Sequence, residues 1–180
     1  MYATNDNPQA VESRNRITDT LLLLMKHSPY KDISITQICQ EAQIVRQTYY
    51  RNFDTKDDII KYALDKMVQQ YYDDYYQADD VHAQLNNFFS YMLKNREFFI
   101  SASKNNLFFM IDEAISKNIT KFIDFYQLTQ NEEPGFERYV TSFIASTICC
   151  LLSMWVDDGF IETPAMMSKL AQKFLAGLKN

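Results

Sequence analysis

Residues 34–59 read SITQICQEAQIVRQTYYRNFDTKDDI, and this stretch decides the fold. Ser34 stands three residues before Gln37, the spacing of a capping box at a helix start. Ile35, Ile38, Cys39 and Ala42 then recur at helical spacing for two turns. Gln43, Ile44 and Val45 interrupt that period. A second short helix follows over 46–53, with Tyr49 and Phe53 on its apolar side. Arg46, Gln47, Thr48, Tyr50 and Arg51 face the other way, and all are donors suited to phosphate oxygens and base edges. Asp54 and Thr55 break this helix, and Thr55 followed by Asp58 is a further capping signature opening a longer one. Two short helices joined by a three-residue turn, the second showing Arg, Gln and Thr outward, form a helix-turn-helix pattern.

From about residue 17 to residue 60 the chain resembles the DNA-binding domain of the TetR family of bacterial transcriptional regulators. The resemblance is carried by Ile17 and Leu21, by ITQICQEA at 35–42 and by RQTYYRNFDTKDDII at 46–60. Tyr49-Tyr50-Arg51, Phe53 and Lys56 fit the family's aromatic pair, basic residue, further aromatic and lysine. It implies an all-α fold of about nine helices, with a helix-turn-helix DNA-binding domain at 10–56 and a helical effector-binding and dimerisation domain at 57–180. It also assigns Thr48 and Tyr50 to the DNA backbone. Arg46 and Gln47, with Thr36 from the preceding helix, are the candidates for base edges. Lys56 opens a helix, where the dipole disfavours a cation unless a phosphate sits beside it, so it is a candidate phosphate ligand.

Two positions depart from the family pattern. Gln43 stands where the family has glycine; if the turn needs positive φ, a side chain there costs ~1 kcal/mol. Val45 stands where the family has serine or threonine, and valine has no oxygen to cap a helix, a loss of ~1 kcal/mol.

The bulk composition agrees with long helices and short loops: 47% hydrophobic and 14% aromatic residues, with three Gly and four Pro in 180. That length suffices to bury a core in one domain or two small ones. The net charge of −5 is unevenly placed, since residues 1–61 hold eight Lys and Arg against eight Asp and Glu. A neutral head on an acidic body suits a protein whose head alone touches DNA. Cys39, Cys149 and Cys150 form no CxxC, and His27 and His82 lie on different elements without metal-ligand spacing. No glycine-rich phosphate loop or G-x-S-x-G occurs, so no enzyme, cofactor or metal site is expected. The first residues are polar, and the most apolar run, 143–156, is short of a ~20-residue membrane span. A soluble cytoplasmic protein, with no membrane partner, is the expectation.

Beyond a loose arm to about residue 10, a helix over 10–27 ends at Ser28-Pro29. The helix from 56 to 76 links head to body, and helices over 81–94, 96–103 and 107–128 follow. A loop at 131–135 contains Pro134; the most apolar helix runs over 136–157 to Gly159, and Thr163-Pro164 opens the last, to 178.

The body's aromatic residues read either as core or as the lining of an apolar pocket. The resemblance favours a small-molecule effector there, with Tyr62, Phe88, Phe108, Phe122 and Phe143 as candidate contacts. The helix at 136–157 is apolar nearly all round and needs a cover on more than one side, from a second copy or from the chain's own helices. The resemblance implies a two-fold four-helix bundle, with Ile144, Thr147, Leu151, Trp155, Met167, Leu170 and Phe174 at the dimer contact. The expected function is a homodimeric repressor that binds a palindromic operator in double-stranded DNA and is released by a small apolar effector. The alternative is a TetR-like co-activator that binds a ligand and a protein partner without operator binding.

Overall fold

A computed structural model describes residues 2, 7–76, 80–125 and 135–176. The expected loop at 131–134 and most of the first six residues lie outside these. The described residues form ten α-helices and divide into two compact units, 1–66 and 67–180.

In the first unit, α1 spans Pro8–Leu24. It starts before the apolar period does, because Asn7 accepts a hydrogen bond from the Gln9 N–H at 3.0 Å and Pro8 takes the first helical position. It ends earlier than Ser28-Pro29 suggests, since Lys26 and His27 bond to carbonyls three residues back in a tightened last turn. A 3₁₀ turn at Tyr30–Asp32 leads to α2 (Ile35–Glu41) and α3 (Arg46–Asn52), and α1, α2 and α3 pack on one another. Ile17, Leu21, Ile38, Tyr49 and Ile59 lose all contact with solvent, a burial that contributes about 1.5–3 kcal/mol for each aliphatic side chain.

The helix α4 (Lys56–Asp74) opens on a complete capping box. Asp58 Oδ2 accepts from the Thr55 N–H at 2.9 Å and from the Thr55 hydroxyl at 3.0 Å, while the Asp58 N–H donates to Thr55 Oγ1 at 3.3 Å. Ile59, Ile60, Tyr62, Ala63 and Leu64 are buried, and the Tyr62 ring lies 5.8 Å from that of Phe53. The units therefore divide within α4, after Lys66, rather than at its first residue. Tyr2 joins this cluster. Its backbone bridges to Phe53, its ring meets Tyr62 edge-on at 5.3 Å, and its hydroxyl donates to Asp65.

The second unit takes the end of α4 and the helices α5 (Val81–Lys94), α6 (Arg96–Lys104), α7 (Phe108–Asn118), α8 (Thr120–Phe125), α9 (Glu137–Asp157) and α10 (Pro164–Ala176). The expected helix over 107–128 is thus two. Its ladder breaks after Asn118, whose carbonyl accepts from the Tyr72 hydroxyl at 2.8 Å and whose amide side chain bonds back to Ala114 O. Packing joins α5 to α10, both α6 and α7 to α9, and α10 to α9. Trp155 sits at the centre, 5.7 Å from Phe89 and 4.8 Å from Phe160, with its indole N–H on Glu162 O at 3.0 Å. Ser168 is fully buried, and its one proton goes to His82 O at 2.8 Å. Its oxygen therefore accepts from Nδ1–H of His82 at 3.0 Å, and the pair staples α10 to α5. By length and apolarity α9 could cross a membrane; its packing against α6, α7 and α10 buries one side of it and leaves an apolar row uncovered.

Candidate nucleic-acid interface

The geometry of the head turns on the junction of α2 and α3. Ala42 ends α2, the Gln43 N–H bonds to Gln40 O at 3.0 Å and the Ile44 N–H to Cys39 O at 2.9 Å. That pair of bonds is a Schellman ending, which requires a left-handed residue between them. Gln43 supplies it with φ of 51°. The same ending closes α6 with Asn106 at φ 57° and α9 with Gly159 at φ 77°, residue types that tolerate this region. Of the three, only Gln43 carries the steric cost in full. Val45 then enters α3 in extended backbone with no side-chain cap.

On α3, Arg46, Gln47, Tyr50 and Arg51 are exposed and Thr48 is half-buried. Tyr49, between them, is fully buried, so one short helix carries both a core side and a donor side. The Arg46 guanidinium donates to the Thr36 hydroxyl, which brings two of the base-edge candidates together across the turn. Asn52 is buried and donates to Thr48 O at 2.8 Å, tightening the end of the helix.

Lys56 takes a position that spacing did not suggest. Its ammonium donates to Tyr30 O at 2.7 Å and Ile33 O at 2.5 Å and lies 4.6 Å from the centre of the Tyr30 ring. The Tyr30 hydroxyl in turn donates to Asp57 at 2.5 Å. Burial draws the Lys56 pKa below the ordinary lysine range, against the pull of Asp57 and Asp32. Two of its three N–H groups are thus directed at the loop before α2, which leaves one for a further acceptor.

Comparison with families of known proteins matches residues 79–177, more than half of the chain, to the profile TetR_C_8, described as "Transcriptional regulator C-terminal region". The chain belongs to the TetR family of transcriptional regulators. Three solved structures share the TetR fold. The dihydroxyacetone kinase operon activator DhaS is 19% identical, over 94% of this chain and 97% of that one, with a TM-score of 0.59. A TetR-family regulator from Streptomyces coelicolor is 16% identical, over 93% and 80%, with a TM-score of 0.62. The fatty acid degradation regulator FadR from Bacillus halodurans is 16% identical, over 97% of both chains, with a TM-score of 0.65. Comparison with curated protein sequences gives no significant match.

Within this TetR body the candidate dimer residues separate into two groups. Ile144, Trp155 and Met167 are 0%, 1% and 4% exposed, so the protomer's own helices cover them and they lie off any outer face. Thr147 and Leu151 are half-buried, while Leu170 and Phe174 stand exposed. The uncovered apolar row on α9 is instead Tyr139, Phe143, Cys150 and Met154, and on α10 it is Met166, Leu170 and Phe174. The effector candidates also scatter. Tyr62 belongs to the first unit, where its hydroxyl donates to Asn15 at 3.0 Å, and Phe143 is on the outer row of α9. Phe88, Phe108 and Phe122 lie in the second unit, each half-buried.

Sequence reasoning placed Tyr71, Tyr72 and Tyr75 among the apolar positions of this helix but did not single them out as a site. Tyr71 lies 5.9 Å from Phe88 and 5.7 Å from Tyr91, and Tyr75 lies 5.0 Å from Tyr91. The Gln84 amide donates to the Tyr71 hydroxyl, and the Tyr91 hydroxyl to Met67 O at 2.9 Å. Burial, then Tyr75, pushes Tyr91 up to about 12, so it remains a neutral donor. The run YYDDYY at 71–76 was the available signal, since its first and fifth residues share a helical face.

Proposed function

We propose that this TetR-family regulator is a homodimeric repressor that binds a palindromic operator and leaves it when a small apolar effector binds its second unit. What supports this most is the outer side of α2 and α3, where Thr36 and Arg46 are joined and Gln47, Thr48, Tyr50 and Arg51 cluster beside them. Side chains of this kind at one end of a helix are those that read a major groove. Arg46, Gln47 and Thr36 contact base edges; Thr48, Tyr50 and the remaining N–H of Lys56 contact phosphates. The dimer forms through the uncovered rows of α9 and α10, an isologous contact between identical helix pairs.

The effector, an apolar or aromatic molecule, binds against the aromatic side of α4 and α5 around Tyr71, Tyr91 and Phe88. It acts through α4, which runs unbroken from the first unit into the second. A ligand shifts DNA affinity only by its differential affinity for the two arrangements, so it must bind the released arrangement more tightly. Like other family members, the protein acts in the cytoplasm.

Gln43 and Val45 favour a second reading, a co-activator that holds a ligand and a protein partner without an operator. The neighbour DhaS is itself named an operon activator. Retention of the pure protein on duplex DNA at low salt separates the two: a repressor is held and then released by salt, a co-activator passes through unbound.

A further inference from the structure

Val45 is the apolar residue on a polar face. It is 66% exposed, the most exposed large hydrophobic side chain among the described residues of the first unit, and it immediately precedes Arg46. An exposed valine alone means little. This one is held on both sides. Before it, the Schellman ending at Gln43 and the half-buried Ile44 fix the turn. After it, the Thr48 N–H bonds to Val45 O at 2.9 Å and the Tyr49 N–H to the same oxygen at 3.3 Å. Its outward neighbours, Arg46 and Gln47, are the residues proposed to read bases. A serine here would cap α3; this chain carries two methyl groups instead.

Pressed against DNA, those methyl groups displace water from whatever they meet. Against a donor or acceptor edge, that displacement leaves a base atom desolvated and unpaired. The major groove offers one apolar group, the C5-methyl of thymine. We infer that Val45 reads a thymine methyl group in each half-site, adding one base pair to those read by Thr36, Arg46 and Gln47. The inference rests on the DNA-binding reading above.

The test replaces each thymine of the selected operator, one at a time, by deoxyuridine, which keeps the pairing and loses only the methyl. For the wild-type protein, one position in each half-site should weaken binding about fourfold, which is ~0.8 kcal/mol for one buried methyl. At that position Val45→Ala should bind thymine and uracil operators alike, while Arg46→Ala should still discriminate. Val45→Ser, which gains a cap and so keeps its fold, should behave as Val45→Ala does. Wild-type affinity unchanged by uracil at every thymine overturns the inference alone, as does discrimination that survives in both Val45 variants. A protein that selects no operator overturns the inference together with the DNA-binding reading.

Discussion

Truncating Phe174 to alanine should weaken self-association while leaving the protomer folded. Phe174 is 50% exposed on α10, in a row with Met166 and Leu170. Burying a whole phenylalanine side chain contributes about 1.5–3 kcal/mol, so covering the uncovered half supplies about 0.8–1.5 kcal/mol. A two-fold contact counts the residue twice, and the loss per dimer becomes about 1.5–3 kcal/mol, roughly 10- to 150-fold in the dissociation constant. Trp155→Ala is the control, because Trp155 is 1% exposed and packed within the protomer. It should cost about 3–5 kcal/mol of folding stability through the cavity it leaves. Sedimentation equilibrium over a concentration series measures the first effect, and urea unfolding the second. A Phe174→Ala protein that associates as tightly as the wild type would show that this row is not the contact.

Three other outcomes follow from the same structure. Gln43→Gly relieves the left-handed glutamine and should raise unfolding stability by about 0.5 kcal/mol after glycine's greater unfolded-state freedom is deducted, and Val45→Ser should add about 1 kcal/mol through a cap; a fall in urea midpoint for both would contradict the turn geometry. Lys56→Met keeps the stem but loses both hydrogen bonds to the loop before α2, so it should destabilise the head by about 2 kcal/mol as well as lower the salt dependence of DNA binding by about one phosphate; unchanged stability would mean the ammonium is not held by Tyr30 and Ile33. Burial, then Asp112, pushes the Cys149 thiol up to about 12, and Cys39 is buried, so a thiol reagent at neutral pH should label Cys150 alone in the Phe174→Ala protein and should label it more slowly in the wild-type dimer; fast labelling of Cys149 would refute the packing of α9.

Local signals in the chain were legible because they act over a few residues. The Ser34 hydroxyl oxygen accepts from the Gln37 N–H, Thr55 and Asp58 cap each other, and Thr163 accepts from the Met166 N–H ahead of α10. The family resemblance and the all-α fold rested on such signals, and both hold. What could not be read was which side of a helix apolar nearly all round faces its own protomer. On α9 Phe143 and Ile144 are equally apolar neighbours, and only the packing of α6, α7 and α10 makes the first exposed and the second buried. Lys56 is a second case. Its carbonyl partners are Tyr30 and Ile33, far away in the chain, and no period reports them. Tyr62 is a third, aromatic like Tyr71 and Tyr72 later on α4 but drawn into the head by Phe53 and Tyr2.

The proposal that the outer side of α2 and α3 reads operator DNA is tested most directly by selecting bound sequences from random duplex DNA with the wild-type protein, Arg46→Ala and Gln47→Ala. The wild type should enrich two half-sites related by a two-fold, mirroring the symmetry of the proposed dimer. Each variant should lose about 1–3 kcal/mol and relax the preference at one or two base pairs of each half-site. Wild-type protein that enriches no sequence, or variants that enrich the same sites with the same affinity, would contradict it.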